Sequence, residues 1–466
     1  MAIATELNIN TSATAEEMFD AIFGDGIQIV AGTATYSGSA LSSGTYTGAL
    51  TTIPGLVPTD SGVILSTGDV AGFTNGSGTV DTNTQAGTTT VTNGVNGDLQ
   101  LNAVAGMGTL DGAILTADFI PDGDFLTMQF VFTSEEYPEY VNGGVNDAFG
   151  VWVNGNFVPV SITVAGNVSI DTVNGGANQN LYRDNTADQL NTEMDGVTYV
   201  LSFKAPVNAG QTNSIKIGVA DGGDAAYDSN LLIMGNSVQT VTLAFDDQIN
   251  VIENSTRTFD ILGNDSTVNG NLTITEINGN SVAAGETVTL SSGQQVMLNA
   301  DNTVTVTANG VLGEENFSYT ISNGTITDVG YVTLNTVTVA TLDGIVSGTG
   351  GADVIDRNYE DDPDGDRIDN NDATGVGGTS GDADYILAGA GNDSIVADLG
   401  SDVIYAGTGD DTVFGGAGDD WVDLGSGNDS FGTFNDDSEG NDTIYGGAGD
   451  DYVITGGEND LLYGGT

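Results

Sequence analysis

The chain has 466 residues with 6 Lys+Arg against 65 Asp+Glu, a formal net charge of -59, no cysteine and no histidine. Such a field repels nucleic acid and anionic membrane and attracts cations. The missing residue types exclude disulfides, Cys/His zinc sites, thiol nucleophiles and every His-dependent triad. The six bases (Arg183, Lys204, Lys216, Arg257, Arg357, Arg367) are scattered along the chain.

The opening MAIATELNIN lacks the basic region, apolar core and small-residue cleavage site of a conventional signal peptide. No apolar run reaches the roughly 18 residues that a membrane span needs. Residues 1–240 begin with one predicted helix. Thr14 and Glu17 form a capping box, Met18, Phe19, Ile22 and Phe23 make an apolar stripe, and Gly24 ends it. Short strands follow between Gly, Asn, Asp and Thr clusters: GVILSTGDV (62–70), FLTMQFVFTS (125–134), FGVWVNG (149–155), VTYVLSFKA (197–205) and NSIKIGVAD (213–221). That pattern predicts a jelly-roll-like β-sandwich.

Glu135, Glu136, Asp147, Asp221, Asp224 and Asp228 concentrate at strand ends in Gly/Asn-rich loops of this region. If FLTMQFVFTS and NSIKIGVAD are neighbouring strands, both acidic loops leave the same end of the sandwich. Their oxygens then suit calcium, with a glycan as a further ligand; the alternative is that they cap turns. Tyr137, Tyr140 and Tyr227 read equally as sugar-stacking or packing residues. FVFTSEEYPEYVNGGVNDAFGVWVNG (130–155), GVADGGDAAYDSNLLI (218–233) and GVILSTGDV together resemble the bacterial choice-of-anchor L domain over most of residues 10–240. The resemblance implies a secreted or surface-attached protein.

Residues 241–340 read as a second β unit. VMLNADNTVTVTA alternates apolar and polar residues, and ENFSYTISNGTITDVGYVTLNTVTV is two strands turning at Asn323-Gly324. Size and strand count suit an immunoglobulin-like β-sandwich. AFDDQINVIENSTRTFDILGNDS, GETVTL and NFSYTISNG resemble the cadherin-like and immunoglobulin-like repeats of large bacterial surface adhesins.

Residues 341–466 have a nine-residue rhythm: AGTGDDTVF, GGAGDDWVD, LGSGNDSFG, GGAGDDYVI. It places Asp353, Asp384, Asp393, Asp402, Asp411, Asp420, Asp429, Asp442, Asp451 and Asp460 in register, each two residues before an apolar side chain such as Ile386, Val413 or Val422. One buried apolar residue supplies about 2 kcal/mol, while ordering nine residues costs on the order of 9 kcal/mol or more. With two repeats per coil, Asp384, Asp402 and Asp420 stack on one edge and Asp393, Asp411 and Asp429 on the other. Carboxylates about 4.8 Å apart repel by about 1 to 3.5 kcal/mol. A hard divalent cation reverses that sign, and calcium accepts carboxylates and carbonyls in flexible geometry.

These repeats resemble the calcium-binding RTX parallel β-roll. The resemblance implies calcium between coils, with the sixth-position aspartates and turn carbonyls as ligands, and type I secretion of a chain that folds outside the cell. Glu458 in place of a turn glycine, the degenerate stretch 379–383 and an insertion at 435–440 depart from the pattern. EDDPDGDRIDNND (360–372) crowds Asp362, Asp364, Asp366 and Asp369 around Gly365, which reads as a local calcium clip or as a solvated acidic excursion. The chain stops at LLYGGT as a new nonapeptide begins, which predicts further residues after Thr466.

The chain thus reads as all-β, with a jelly-roll-like sandwich, an immunoglobulin-like sandwich and a parallel β-roll. The leading functional expectation is a secreted, calcium-dependent, non-enzymatic adhesin of a bacterial surface or matrix, whose partners are calcium ions and a glycan or cell-surface ligand. Self-association into a layer or filament is the alternative. A secreted polysaccharide-acting enzyme is the weaker rival: no GxSxG elbow occurs, and Glu135 with Asp147 or Asp221 would be its carboxylate pair.

Overall fold

The computed structural model describes residues 5–74, 89–160, 167–268, 270–337, 344–359, 361–362, 365–369, 375–432, 440–457 and 459–465. The chain divides into two compact units, Met1–Thr336 and Val337–Thr466.

The first unit opens with the helix Ala15–Ile22. The Thr14 hydroxyl accepts from Glu17 N at 3.2 Å, and the Glu17 carboxylate accepts from Thr14 N at 2.8 Å. Met18, Phe19 and Ile22 are buried in the main core beside Val63, Leu65 and Phe119. That core lies between two antiparallel sheets. One runs Asn8–Asn10, Ser43–Thr47, Ser61–Ser66, Ser229–Met234, Phe125–Ser134, Gly196–Thr198, Tyr182–Asp184, with Leu201–Pro206 also on Phe125–Ser134. The other runs Val168–Ser169, Ala148–Val153, Asn213–Gly222, Thr109–Pro121, Ile27–Ile29. Two further helices, the single turn Ala49–Thr52 and Leu99–Ala105, depart from the expectation of one; the second is the longer. Asp98 caps it by accepting from Gln100 N and Leu101 N, both at 3.1 Å, and Gly106 closes it at φ 75°.

FLTMQFVFTS and NSIKIGVAD are strands, as their composition predicts, but they are not hydrogen-bonded neighbours: they belong to opposite sheets. Each pairs instead with a strand that starts at the other acidic motif. Ser134 faces Ser229 in one sheet, and Ala220 faces Ala148 in the other. The loops therefore emerge at one end by pairing within each sheet.

The middle region is a second sandwich with its own core, including Ile277, Val296, Phe317, Tyr319 and Val332. Its longest hairpin joins Gly313–Ser322 to Thr327–Val337, and the Asn323 side chain accepts from Thr325 N and Ile326 N to hold the turn. Val329 and Tyr331 pack into the core of the first sandwich. Asp328, fully buried, meets Lys204 Nζ at 2.9 Å. The two sandwiches thereby form one body.

The second unit is a roll of two parallel sheets. One contains Val346–Ser347, Tyr385–Leu387, Val403–Tyr405, Trp421–Asp423, Thr443–Tyr445 and Leu461–Tyr463. The other contains Val354–Ile355, Ser394–Val396, Thr412–Phe414, Ser430–Phe431 and Tyr452–Val453. Ile386, Ile395, Ile404, Val413, Val422, Phe431 and Ile444 point inward and are buried. On the outer face of the first sheet Tyr385, Tyr405, Trp421, Tyr445 and Tyr463 follow one another with ring centroids 4.5–5.8 Å apart.

Candidate calcium-binding sites

Each roll strand up to Thr443–Tyr445 buries one residue, whereas Val453 is half-buried and Leu462 is exposed in the last two; from Val354–Ile355 onward the aspartate two positions before the inward position falls in the turn where coils stack. The backbone N–H of one aspartate donates to the carboxylate of the next coil: Asp384 to Asp402 at 2.7 Å, Asp402 to Asp420 at 2.9 Å, Asp420 to Asp442 at 3.0 Å, Asp442 to Asp460 at 3.1 Å. The opposite edge links Asp353 to Asp393, Asp393 to Asp411 and Asp411 to Asp429, each at 2.8 Å, and Asp429 to Asp451 at 3.1 Å. At the start of that edge Asp353 turns its carboxylate onto Thr349 N at 2.7 Å and the Thr349 hydroxyl.

The ladder uses one carboxylate oxygen. The other oxygen of Asp393, Asp402, Asp411, Asp420, Asp429 and Asp451 is buried without a hydrogen-bond partner. Burial, reinforced by the carboxylates of Asp420 and Asp384, pushes Asp402 up to about 9. Burial with Asp442 nearby pushes Asp420 up to about 7, and burial with Asp393 and Asp429 pushes Asp411 up to about 6. Buried oxygens stripped of water and partner are costly, and a hard cation that takes six to eight oxygens fits this donor set. The turns supply the close approach: Gly418 sits at φ 133°, and a Cβ there would lie 1.7 Å from the Gly400 carbonyl oxygen. Among the described residues no three acidic side chains converge on one point. The aspartates are thus placed to act with carbonyl oxygens rather than as an all-carboxylate cage.

Of the acidic stretch 360–372, only 361–362 and 365–369 lie within the described residues. Asp362 accepts from Ser347 N at 2.7 Å, Gly365 N at 2.6 Å and Asp366 N at 2.9 Å. Asp366 accepts from Gly344 N at 3.1 Å, and Asp369 pairs with Arg357. Asp362 and Asp366 thus accept from backbone N–H groups, while Asp364 and Glu458 lie outside the described residues.

In the first sandwich Glu135, Glu136, Asp147, Asp221 and Asp228 are all buried at the shared end, while Asp224 is half-buried. Asp147 N donates to Glu136 at 3.4 Å. The Asp147 carboxylate accepts from Gly222 N at 2.9 Å and from the Ser229 hydroxyl at 2.8 Å, bridging the two sheets. The Asp221 carboxyl lies within hydrogen-bonding reach of that of Asp147. Burial, then the Asp147 charge, pushes Glu136 up to about 9; burial pushes Asp147 up to about 7 and Asp228 up to about 6. Asp224 folds back on its own loop, accepting from Ala226 N at 3.1 Å. Asp111 joins the buried group although no sequence signal marks it: it sits inside the strand Thr109–Pro121 at φ 47° and accepts from Thr92 N and Gly94 N. Tyr137 is a packing residue, fully buried and donating to the Val173 carbonyl at 2.7 Å. Tyr140 and Tyr227 rest on each other at 4.9 Å.

Two β-sandwiches and a repeat roll whose stacked aspartates leave buried oxygens bare define a protein with the donor chemistry of a calcium binder. Residues 379–411, 396–431 and 436–466 match the RTX calcium-binding nonapeptide repeat, and residues 238–335 match the bacterial Ig domain. The choice-of-anchor L domain matches residues 6–239, half of the chain, and the chain belongs to that family. No curated protein matches it. Among solved structures, a sialyltransferase from Photobacterium damsela is 14% identical over 24% of this chain and 20% of its own, at a TM-score of 0.13. Extracellular domains 3-5 of Drosophila OTK are 12% identical over 53% of this chain and 65% of theirs, at 0.14. The I9-I11 tandem of titin is 11% identical over 48% and 60%, at 0.13. Scores so low carry no argument.

Proposed function

We propose that the chain is an extracellular, non-enzymatic adhesin of a bacterial surface or matrix whose binding state depends on calcium. The observation that carries this reading is the pair of stacked aspartate ladders with bare buried oxygens. Such a roll is ordered where calcium is plentiful and disordered where it is scarce, which suits a chain exported unfolded, by type I secretion, and folded outside. The remaining modules are sandwiches, which present loops and faces to a glycan or cell-surface ligand.

The test is adhesion of the purified full chain to bacterial cells, host cells and immobilised glycans, in millimolar calcium and in chelator. Binding confined to calcium is expected. A chain that is fully ordered in calcium yet binds none of these surfaces would sink the adhesin reading. Self-assembly is the second reading, favoured by the outer face of the roll, where Leu387, Leu461 and Tyr463 stay exposed beside the aromatic row. Calcium-induced arrays of the purified protein, visible by light scattering and electron microscopy, would favour it over adhesion. Glycan cleavage by the purified chain would replace both with an enzyme.

A further inference from the structure

The roll gives its calcium sites a recognisable signature. A buried carboxylate spends one oxygen on a backbone N–H, leaves the other without a partner, and has no base beside it. Asp402 and Asp420 carry it, accepting from the preceding coil at 2.7 and 2.9 Å respectively, each with a bare second oxygen.

The same signature recurs far away in sequence, at the end of the first sandwich. Glu136 accepts from Asp147 N through one oxygen, and its other oxygen is buried and bare. Asp228 accepts from Thr90 N at 2.8 Å through one oxygen, and its other is buried and bare. Asp221, 3% exposed, has a bare oxygen as well, and its carboxyl lies against that of Asp147. A glycine faces the bare oxygen in both places: a Cβ on Gly415 would come within 2.2 Å of the Asp420 carboxylate, and one on Gly68 within 1.8 Å of that of Asp228.

Bases do not answer this charge. Lys204 is held by Asp328 at 2.9 Å and Lys216 by Asp98 at 2.8 Å. Arg183 donates to the Gly55 carbonyl at 2.6 Å and lies over the Tyr199 ring. The carboxylates of Glu136, Asp147, Asp221 and Asp228 therefore follow one another as buried neighbours, with the hydroxyls of Ser229 and Thr67 beside them and no basic side chain paired to them among the described residues. Neighbouring carboxylates disfavour each other's charged form, so the group must hold protons or bind a cation. The absence of three converging acids does not distinguish this place from the roll, where it holds equally among the described residues.

We propose that this end of the first sandwich binds a calcium ion at Asp147 and Asp221, flanked by Glu136 and Asp228. The ligand is a hard divalent cation with a preference for calcium, because the donors are oxygens fixed by strand ends rather than a compact octahedron. The site is separate from the nonapeptide repeats and stands whether or not the chain is an adhesin.

Native mass spectrometry of the full chain, titrated with calcium, counts bound ions directly. Asp147→Asn and Asp221→Asn are expected to saturate one ion short of the wild type, while Asp420→Asn loses ions with residues 134–148 still calcium-responsive. Hydrogen exchange of the wild type gives a reading free of mutation. Calcium, and not magnesium, should slow exchange at residues 134–148 and 220–230 by roughly tenfold when it is present at ten times its Kd. Should Asp147→Asn fail to fold, Glu136→Gln and the wild-type exchange decide. Folded variants that keep the wild-type count, or wild-type exchange at these segments indifferent to calcium, would overturn the proposal and leave a proton-sharing cluster.

Discussion

Asp328 at the seam of the two sandwiches and Asp420 in the roll are both carboxylates buried almost completely, yet they are answered differently. Asp328 accepts from Thr127 at 2.8 Å and Ala244 N at 2.9 Å, and Lys204 Nζ lies 2.9 Å away. Lys204 itself is also held by the Ser202 hydroxyl and the Val329 carbonyl, both at 2.9 Å. Asp420 has one N–H, a bare oxygen and another carboxylate one coil on. The seam contains its own counter-charge and is complete as a polypeptide. The roll is complete only with an ion taken from outside. A chain so poor in bases can bury acid by the first route in very few places, and the second route makes folding conditional on the medium.

The largest expected effect breaks the comparison at the roll. Removing calcium with a chelator should abolish hydrogen-exchange protection across residues 344–465 and leave the Met1–Thr336 core protected; magnesium should restore little. A roll fully protected in excess chelator would contradict the argument from its acids. Next comes the seam. Lys204→Met strands Asp328 without its charge partner and should destabilise the first unit by about 3–5 kcal/mol, read by denaturant unfolding in chelator. Adding Asp328→Leu should recover most of that loss, because an apolar pair needs no counter-charge.

A smaller effect comes from pH. The folded pKa values of Asp402, Asp420 and Asp411, about 9, 7 and 6, lie above the unfolded carboxyl value. The calcium-free fold therefore binds protons more tightly than the unfolded chain, and its stability rises as pH falls from about 9 towards about 4. Circular dichroism in chelator should register a gain of β signal on acidification from pH 8 to pH 5. A flat or falling signal would show that protons cannot stand in for the ion. With calcium present the sign reverses, since protons compete for its ligands. The smallest effect is on the outer face. Trp421 touches Tyr405 and Tyr445 at 5.0 and 5.4 Å, so Trp421→Ala should lower roll stability by about 1–3 kcal/mol at about 0.5–1.5 kcal/mol per pair. Thermal unfolding in saturating calcium measures it.

Local signals were legible in the sequence. The nine-residue rhythm specifies both edges of the roll, Thr14 and Glu17 specify a helix start, and Asn323-Gly324 marks the hairpin turn. Each depends on residues close in sequence. The helix Leu99–Ala105 escaped because seven residues burying only Leu101 and Ala105 make no periodic stripe. The partners of Lys204 and the placement of Asp111 depend on pairing across sheets, which no window of sequence contains. At 360–372 the density of acids reads as a clip or as a solvated excursion, and the backbone N–H groups that Asp362 and Asp366 accept from are brought to them only by the folded loop.

In both ladders it is the later coil whose carboxylate receives the N–H of the earlier one. The roll therefore has a direction, like a stack of cups in which each rim accepts the next base. Every coil presents the next with the same fitting, and the step from Asp420 to Asp442 spans 22 residues where its neighbours span 18 without breaking the series. Such a stack can be lengthened, shortened or given a detour by duplicating or deleting whole coils, with no residue elsewhere needing to change. Reach is then a quantity that lineages of this chain can adjust by unequal recombination among near-identical repeats, while the sandwiches keep their sequence.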